Sequence, residues 1–331
     1  MLSIRLLLKV LYQPEVYVYI GWGVLTILSL ILLFTWKRFR KRWLRWTLLI
    51  PLLLCWKVFL WGTYVGFQKL EVVHVEYASH DLPESFDGYK IVQFSDVHVG
   101  SYTGWRRSIL QRAIDSINAQ HPDLVVFTGD LQNKEASEII ACQDILSQVK
   151  APDGVISVLG NHDYPMYLDT AALGSFGCYQ CLGRTVEAER ALGWKVLMNG
   201  HITIQRDSAH IIIAGMENDG EGRFPRKGNI RNALRGVSRD EFVVMLEHDP
   251  TSWKRLILPH SHAQLTLSGH THGGQLSLFG FSPATFLYNE VYGLYRAGDR
   301  ALYVTKGLGG VIPMRYGATG EIVTITLRRK P

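Results

Sequence analysis

Residues 91–98 read IVQFSDVH, a mainly apolar run that ends in a carboxylate and an imidazole. Two later stretches repeat this arrangement, LVVFTGD at 124–130 and LTLSGHTH at 265–272. Short runs of Val, Ile, Leu and Phe are typical of buried β-strands. In open α/β sheets, ligands bind at the carboxyl ends of the strands. The three stretches therefore predict an α/β fold with a ligand site at one edge.

The chain after residue 70 continues this alternation of apolar runs and amphipathic stretches. The pattern predicts strands at 91–94, 124–127, 155–159, 211–214, 242–246 and 265–267. Helices are expected between the first three strands, at about 105–119 and 135–149. Because no repeat and no further boundary is visible, we predict that 70–331 forms one domain.

The first 69 residues have a different composition. They hold ten Lys or Arg and a single acidic residue, Glu15. Subtraction from the totals of 35 and 29 leaves 25 basic and 28 acidic residues in 70–331. This acidic balance argues against a nucleic-acid partner, whose phosphates require a basic face. The basic charge belongs instead to a hydrophobic N-terminus, and we predict that 1–69 is a membrane segment whose partner is the lipid bilayer.

Two apolar runs are long enough to cross a bilayer as helices. Residues 16–36 carry no charge, and their number suffices for about 30 Å of hydrocarbon. The second run, 46–67, contains Lys57, which costs roughly 2.5 to 3.5 kcal/mol at the bilayer centre. We still expect this run to insert. Lys57 then extends to the interface, faces the first helix, or contacts a lipid headgroup or an anionic ligand.

A short basic loop separates the two runs. Its cationic residues are Lys37, Arg38, Arg40, Lys41, Arg42 and Arg45. Because such loops are retained in the cytoplasm, a hairpin places 70–331 on the extracytoplasmic side. If the second run only lies in the interface, the domain faces the cytoplasm instead.

The four cysteines are too few for a disulfide framework. Cys178 and Cys181 form an isolated CxxC pair without the second ligand pair of a zinc knuckle. We expect either a local disulfide or two free thiols.

Five polar clusters follow predicted strands. They are Asp96-Val97-His98, Gly129-Asp130, Gly160-Asn161-His162-Asp163, Glu247-His248-Asp249 and Gly269-His270-Thr271-His272. Each cluster alone fits an ordinary turn or a hydrogen-bonded scaffold histidine. Together they supply carboxylates, imidazoles and an amide without a thiolate, a set that suits manganese, iron, zinc or magnesium.

This series of motifs resembles the calcineurin-like metallophosphoesterase family over residues 90–275. Further pieces resemble a membrane-associated bacterial subgroup, namely His248-Asp249-Pro250, Gly273-Gly274-Gln275, Gly307-Leu308-Gly309, Pro313, Arg315 and Glu321. The resemblance implies a β-sandwich flanked by helices, in α/β/β/α layers, after the N-terminal transmembrane hairpin. It also implies a location in the bacterial inner membrane.

The resemblance further implies two divalent metal ions and a role for each motif residue. The implied ligands are Asp96, His98 and His272 for one ion, Asn161, His248 and His270 for the other, and Asp130 between them. His162 would be the catalytic histidine that is not a ligand, oriented by Asp163. Two ions so placed make hydroxide available near neutral pH, and it would attack phosphorus in line while His162 stabilises the transition state or protonates the leaving oxygen.

These features predict a phosphoric ester hydrolase that cleaves a phosphodiester or pyrophosphate bond in a lipid or lipid-linked substrate. One alternative is the UDP-diacylglucosamine pyrophosphatase of lipid A biosynthesis, whose nucleotide substrate is cytoplasmic. Another is a metal-dependent sensor or scaffold without turnover. Arg223 and Arg226 are candidate phosphate contacts, or part of a solvated loop. The aromatic stretch 279–295 is either a lipid contact or packed core.

Overall fold

A computed structural model describes residues 14–35 and 42–331 of the chain. Two helices come first, α1 (Pro14–Thr35) and α2 (Arg42–Tyr64). They are in contact, because the indole Nε1 of Trp56 donates to Thr26 Oγ1 at 2.7 Å. The Trp22 ring also packs on Trp56 and Phe59, with centroids 6.3 and 5.7 Å apart.

Within the described residues, one helical stretch has the length and composition to span a membrane, Leu49–Gln68. The apolar part of α1, Gly21–Ile31, is shorter. The structure thus supports one of the two predicted spans, and 16–36 extends past the described part of α1. Lys57 is exposed on α2. Residues 36–41, which carry most of the basic loop behind the predicted topology, lie outside the described residues.

The rest of the described chain contains twelve strands. They are β1 (Leu70–Ser79), β2 (Lys90–Phe94), β3 (Leu124–Phe127), β4 (Val155–Ser157), β5 (Lys195–Val196), β6 (Gly200–Arg206), β7 (Ala209–Gly215), β8 (Val243–Leu246), β9 (Leu265–Ser268), β10 (Gly293–Ala297), β11 (Arg300–Val304) and β12 (Gly320–Arg329).

These strands form two six-stranded sheets, in the orders β1-β12-β2-β3-β4-β5 and β10-β11-β9-β8-β7-β6. In the first sheet β2, β3, β4 and β5 run parallel, and β12 pairs antiparallel with β2 and parallel with β1. In the second sheet β7, β8, β9 and β11 are parallel, and the edge strands β6 and β10 are antiparallel to their neighbours. The carboxyl ends of the central strands of each sheet therefore lie at a single edge.

Helices cover the outer faces of both sheets. They are α3 (Arg107–Asn118), α4 (Ala136–Ala141), α5 (Gln143–Leu146), α6 (Thr170–Ala191), α7 (Ile230–Ala233), α8 (Leu258–His260) and a π-helical turn at Trp253–Ile257. In β3, Leu124 and Val126 face the core between the sheets, whereas Val125 and Phe127 face the core beneath the helices. Burial on both faces explains why the strand is apolar throughout. The α/β/β/α sandwich predicted from the sequence is confirmed.

Some predicted elements differ from the observed ones. The single helix expected at 135–149 is two short helices, α4 and α5, which are separated at Cys142, where φ is −115°. The strand expected at 155–159 ends at Ser157, and the chain then turns into the site. Local periodicity does not reveal the helical segment α6, which is interrupted at Gly174 (φ 64°, ψ −179°), or the strand β12, which is inserted between β1 and β2.

Candidate metal centre

The loops after β2, β3 and β4 meet the loops after β8 and β9. Backbone hydrogen bonds join neighbouring loops, from Asp96 N to Gly129 O at 2.9 Å and from Gly269 N to His248 O at 3.0 Å. Side chains also join the two sheets, since His248 Nδ1 lies 2.7 Å from Thr128 O and Gln93 Nε2 donates to Ser268 O at 3.0 Å. The strand ends of both sheets therefore form one site.

One group of ligand atoms, which we call the Asp96 cluster, comprises Asp96, His98, Asp130 and His272. Their ligand atoms all lie within 4.8 Å of one another. His98 Nε2 is 3.3 Å from His272 Nε2 and 3.6 Å from Asp130 Oδ2. His272 Nε2 is 3.5 Å from Asp96 Oδ1. The structure thus brings together the three residues predicted for one ion and the predicted bridging carboxylate.

The second group, the His248 cluster, comprises Asp130, His248 and His270. His248 Nε2 lies 3.3 Å from Asp130 Oδ2 and 3.2 Å from His270 Nδ1. Asn161 is buried in the turn Asn161–Asp163, and its Nδ2 donates to Tyr167 Oη at 2.9 Å. Its Oδ1 has no hydrogen-bond partner among the described residues, so this oxygen is available as a ligand.

The backbone at these motifs is strained. Five of the seven predicted ligands have positive φ although they are not glycine, with values from 51° to 73°, namely Asp96, His98, Asp130, His270 and His272. Such conformations cost free energy and persist mainly at functional sites.

Glycines in the motifs allow the loops to approach each other. A Cβ on Gly160 would lie 2.3 Å from Asp130 Oδ1, and a Cβ on Gly269 would lie 2.3 Å from Asp96 Oδ2. Neither distance is possible between unbonded atoms. Only glycine therefore lets the loop backbones come this close to the two carboxylates.

The protonation states of the imidazoles are set by burial and by Asp130. Burial lowers the pKa of His98 and of His270, and it lowers the pKa of His272 to about 4. These three rings are neutral at neutral pH, which is the form that binds metal ions. Burial also acts against a charged His248, yet the Asp130 carboxylate raises its pKa well above the usual value. In turn, His248 and His162 hold the pKa of Asp130 low despite its burial.

The residues present fit two divalent ions that share Asp130. The donor set is nitrogen and oxygen without sulfur, and the Asp and His ligand atoms of each cluster lie within 4.8 Å of one another. The buried Asn161 Oδ1 has no partner in the described part of the chain. A divalent cation beside Asp130 would replace the proton that the carboxylate shares with His248.

The two clusters differ in the partners of the second ring nitrogen of each imidazole. In the His248 cluster, His248 Nδ1 donates to Thr128 O, and His270 Nε2 lies 3.0 Å from Tyr288 Oη and 3.4 Å from Asp249 Oδ2. In the Asp96 cluster, the Nδ1 atoms of His98 and His272 have no partner among the residues that the structure describes.

His162 lies beside the Asp96 cluster. Its ring is edge-on to His98, with centroids 4.7 Å apart, and stacks on Tyr167 at 3.9 Å. Nδ1 is 2.7 Å from the carbonyl oxygen of Asn133, so Nδ1 carries the proton and donates it to that oxygen. Nε2 is then the atom that can exchange a proton with a substrate.

The structure corrects the role expected for Asp163. Its carboxylate does not hold the His162 ring but accepts from the backbone N–H groups of Gly160, Asp130 and Leu131, at 2.8, 2.8 and 3.0 Å. Asp163 therefore joins the turn that carries His162 to the loop that carries Asp130. The ring itself is oriented by Asn133, a backbone acceptor that side-chain motifs do not show.

The two candidate substrate arginines are in different positions. The guanidinium of Arg223 lies 5.6 Å from the centre of the Phe224 ring, which is edge-on to His270 at 4.7 Å. Arg223 also opposes the effect of burial on the pKa of Tyr167 and of Tyr288, which is raised to about 12 in both. Arg226 Nε instead donates to Gly220 O at 3.0 Å. Arg223 is thus the one of the pair at the His248 cluster.

Two side chains beside His270 were not assigned a role from the sequence. Tyr288 Oη lies within hydrogen-bond distance of His270 Nε2, whereas Asp249 Oδ2 lies 3.4 Å from Nε2 without a hydrogen bond. Tyr288 was noted only as part of an aromatic stretch, and Asp249 only as part of a motif. Nothing in the spacing of Tyr288 indicates its contact with His270, which depends on the path of the loop after His272.

The CxxC residues Cys178 and Cys181 lie on α6 as free thiols.

Comparison with known proteins agrees with this geometry. Residues 89–274 match the calcineurin-like phosphoesterase family. A zebrafish transmembrane protein with metallophosphoesterase domain is 34% identical over 279 residues, which cover 81% of this chain and 60% of that protein. An uncharacterised metallophosphoesterase of Bacillus subtilis is also 34% identical over 279 residues, with 81% of this chain and 90% of that protein covered. The chain thus spans less than two thirds of the zebrafish relative.

Solved structures are more distant. A phosphopantetheinyl hydrolase from Mycobacterium tuberculosis has 12% identity and a TM-score of 0.39, covering 66% of this chain and 89% of that chain. A dimetal phosphatase from Danio rerio has 13% identity and a TM-score of 0.36, covering 67% and 88%. Neither likeness informs the choice of substrate. On the family match and the Bacillus relative, the chain belongs to the calcineurin-like phosphoesterase family and is a metal-dependent phosphoric ester hydrolase.

Proposed function

We propose that this protein is a membrane-anchored phosphodiesterase that cleaves a phosphodiester or pyrophosphate bond in a lipid or lipid-linked substrate. The observation that carries the proposal is the pair of buried clusters that share Asp130, with His162 beside them. Two divalent ions held there would clamp the phosphoryl oxygens and supply a hydroxide near neutral pH.

The chain's own residues provide the proton transfer. The hydrogen bond from His162 Nδ1 to Asn133 O fixes the ring and stabilises its charged form. His162 Nε2 can then donate a proton to the leaving oxygen as the ester bond breaks. Stacking on Tyr167 further restricts the ring. Because Asp130 Oδ1 accepts from the backbone N–H of His162 at 2.7 Å, the acid is positioned relative to both clusters.

The side chains around the two clusters favour a phosphodiester over a phosphomonoester as the substrate. Arg223 supplies a positive charge at the rim of the His248 cluster, next to the rings of Phe224, Tyr167 and Tyr288. A diester carries one negative charge and two organic groups, so one cation and several aromatic faces complement it. A monoester, with almost twice the charge at neutral pH, would need more cations.

A membrane substrate is supported by the N-terminal helices. The stretch Leu49–Gln68 has the length and composition of a membrane span. The zebrafish relative is named a transmembrane protein, which is a property of that relative and is consistent with an anchor here. We propose that α2 anchors this protein in the bacterial inner membrane, and that the basic loop before it keeps the catalytic domain extracytoplasmic.

The test is hydrolysis by the purified full-length protein, stripped of metal and resupplied with manganese. Substrates would be bis-p-nitrophenyl phosphate, p-nitrophenyl phosphate and UDP-diacylglucosamine. We expect metal-dependent cleavage of the diester at a higher kcat/KM than the monoester. Preference for the monoester, or no cleavage with ions bound, would contradict the proposal.

The side of the membrane needs a separate test, because the UDP-lipid alternative requires a cytoplasmic domain. A reporter fused after Pro331 that is active only outside the cytoplasm distinguishes the two. We expect activity of that reporter. Absence of reporter activity from the intact fusion, together with cleavage of the UDP lipid, would contradict this topology and indicate a lipid A pathway enzyme instead.

A further inference from the structure

We propose that residues 276–287, which we call the apolar lip, insert into the surface of the bilayer that α2 crosses. The lip begins shortly after the ligand His272 and reads LSLFGFSPATFL. No Asp, Glu, Lys or Arg occurs between Arg255 and Glu290. Contiguous apolar surface of this kind marks a site of interaction with a protein or a membrane.

The lip is exposed rather than packed as core. Phe279 is 100% exposed, Phe286 81% and Leu287 79%. The rings of Phe281 and Phe286 contact each other edge-on, with centroids 5.5 Å apart. The lip therefore presents an exposed apolar patch that includes this ring pair, and the part of the aromatic stretch that is used internally begins at Tyr288.

The patch is continuous with the end of α2. Leu276 forms a β-bridge with Tyr316, and Ser277 N donates to Tyr316 O at 2.7 Å. The Tyr316 ring packs on Trp61 of α2, with centroids 5.1 Å apart. Tyr316 thus contacts both the lip and the candidate membrane helix, and this continuity supports lipid as the occupant of the lip surface.

Aromatic residues mark the level of the membrane surface. Trp61 and Tyr64 lie in the last turn of α2, and each packs on a ring of the sandwich, Tyr316 and Trp105 respectively. Trp and Tyr concentrate at the boundary between membrane and water. The lip is attached at that level, where apolar side chains bury about 5 to 10 Å into the headgroup region.

Direct contacts tie α2 to the sandwich and the lip to the His272 loop. Arg315 N donates to Gly62 O of α2 at 3.1 Å, and a Cβ on Gly66, just after α2, would lie 1.8 Å from Arg315 O, so the end of α2 and the turn after it touch the sandwich backbone. Within the lip, Ser282 Oγ donates to Gly273 O, next to His272, at 2.9 Å. Insertion of the lip therefore holds the His272 loop at a fixed distance from the lipid headgroups.

This inference rests on the anchoring by α2 proposed above, and it does not depend on which ester is cleaved. It is tested with an environment-sensitive fluorescent amino acid, introduced by nonsense suppression into the full-length protein at position 279. The protein is reconstituted into phosphatidylcholine vesicles whose acyl chains carry a nitroxide quencher, at either of two depths. Position 53 on α2 reports on the anchor. Position 176 on α6 is the matched control, because Phe176 is 72% exposed but lies outside the lip.

We expect quenching at 53 and at 279, at least about twofold stronger at 279 than at 176, since the lip lies within the depth of interfacial insertion. Quenching at 53 without quenching at 279 would contradict insertion of the lip and would still support anchoring by α2. Absence of quenching at both would overturn both. A blue shift at 279 that depends on protein concentration, without quenching, would show contact with a second copy and overturn the lipid assignment. Equal quenching at 176 and 279 would overturn the assignment to the lip.

Discussion

In the His248 cluster the second ring nitrogen of each imidazole has a partner, whereas in the Asp96 cluster neither second nitrogen has one among the described residues. His248 donates to Thr128 O, and His270 contacts Tyr288 and Asp249. The corresponding Nδ1 atoms of His98 and His272 have no partner in the described residues. Partners behind a ligand fix its tautomer and raise its basicity. We therefore expect the His248 cluster to bind its ion more tightly and the Asp96 cluster to fill second.

The largest effect is expected where the two clusters meet. Asp130→Asn keeps an acceptor for the backbone N–H of His162 but removes the negative charge that the two clusters share. We expect a loss of hydrolysis of about a thousandfold or more, since stabilisation worth several kcal/mol disappears. Metal content measured by mass spectrometry should fall from two ions to one or none. Asp144→Asn, at an exposed ion pair with Arg107, is the control, and an Asp130 variant that retains both ions would contradict the shared role.

His162→Asn tests whether the ring beside the Asp96 cluster is an acid or a ligand. Loss of a general acid lowers kcat by about 10² to 10⁴. Because the ring is held by Asn133 and Tyr167, we expect both ions to remain bound. Steady-state kinetics and metal analysis on one preparation measure both quantities. Normal turnover, or loss of one ion, would refute this assignment.

Tyr288→Phe addresses the difference between the clusters directly. Removing the hydroxyl that contacts His270 Nε2 should weaken the tighter site by about tenfold, at the low end for such partners. Competition with a chelator should then show two similar sites in place of one tight and one weak site. Tyr292→Phe is a matched control from the same segment, where the ring lies 5.7 Å from Lys306 Nζ. An unchanged tight site would mean that Tyr288 does not support His270.

The smallest effect is expected on substrate binding, at Arg223 beside the His248 cluster. Arg223→Ala should raise KM for a diester by about two- to fivefold, because an exposed charge contributes up to about 1 kcal/mol, and should leave kcat and metal content unchanged. Arg226→Ala is the control, because this side chain donates to Gly220 O. Equal effects of the two variants would show that general charge, rather than contact at the His248 cluster, attracts the substrate.

Much of the site could be predicted because its residues follow apolar strands in short motifs. Asp96 and His98 follow β2, and His270 and His272 follow β9, so they meet where the strand ends of the two packed sheets face each other. The groups behind the ligands could not be predicted in this way. Tyr288 reaches His270 only through the path of the lip, and Asn133 acts through its backbone carbonyl.

The fold was predictable to a similar extent. Strands buried on both faces have uninterrupted apolar sequences, and those of the central sheets were found from this pattern. The strand β12 comes from the far end of the chain and lies between β1 and β2, a pairing that local periodicity does not reveal. The helix α6 was missed for a related reason, since residues 170–183 carry no charge and their side chains are largely exposed, so no polar face contrasts with an apolar one.

The central claim is that two ions, bound unequally and sharing Asp130, are required for hydrolysis. Its most direct test is to titrate manganese into the metal-stripped full-length protein while following cleavage of bis-p-nitrophenyl phosphate. We predict little activity over the first equivalent, which fills the His248 cluster, and a rise to full activity over the second. Full activity with one bound ion, or no cleavage with two bound ions, would contradict the claim.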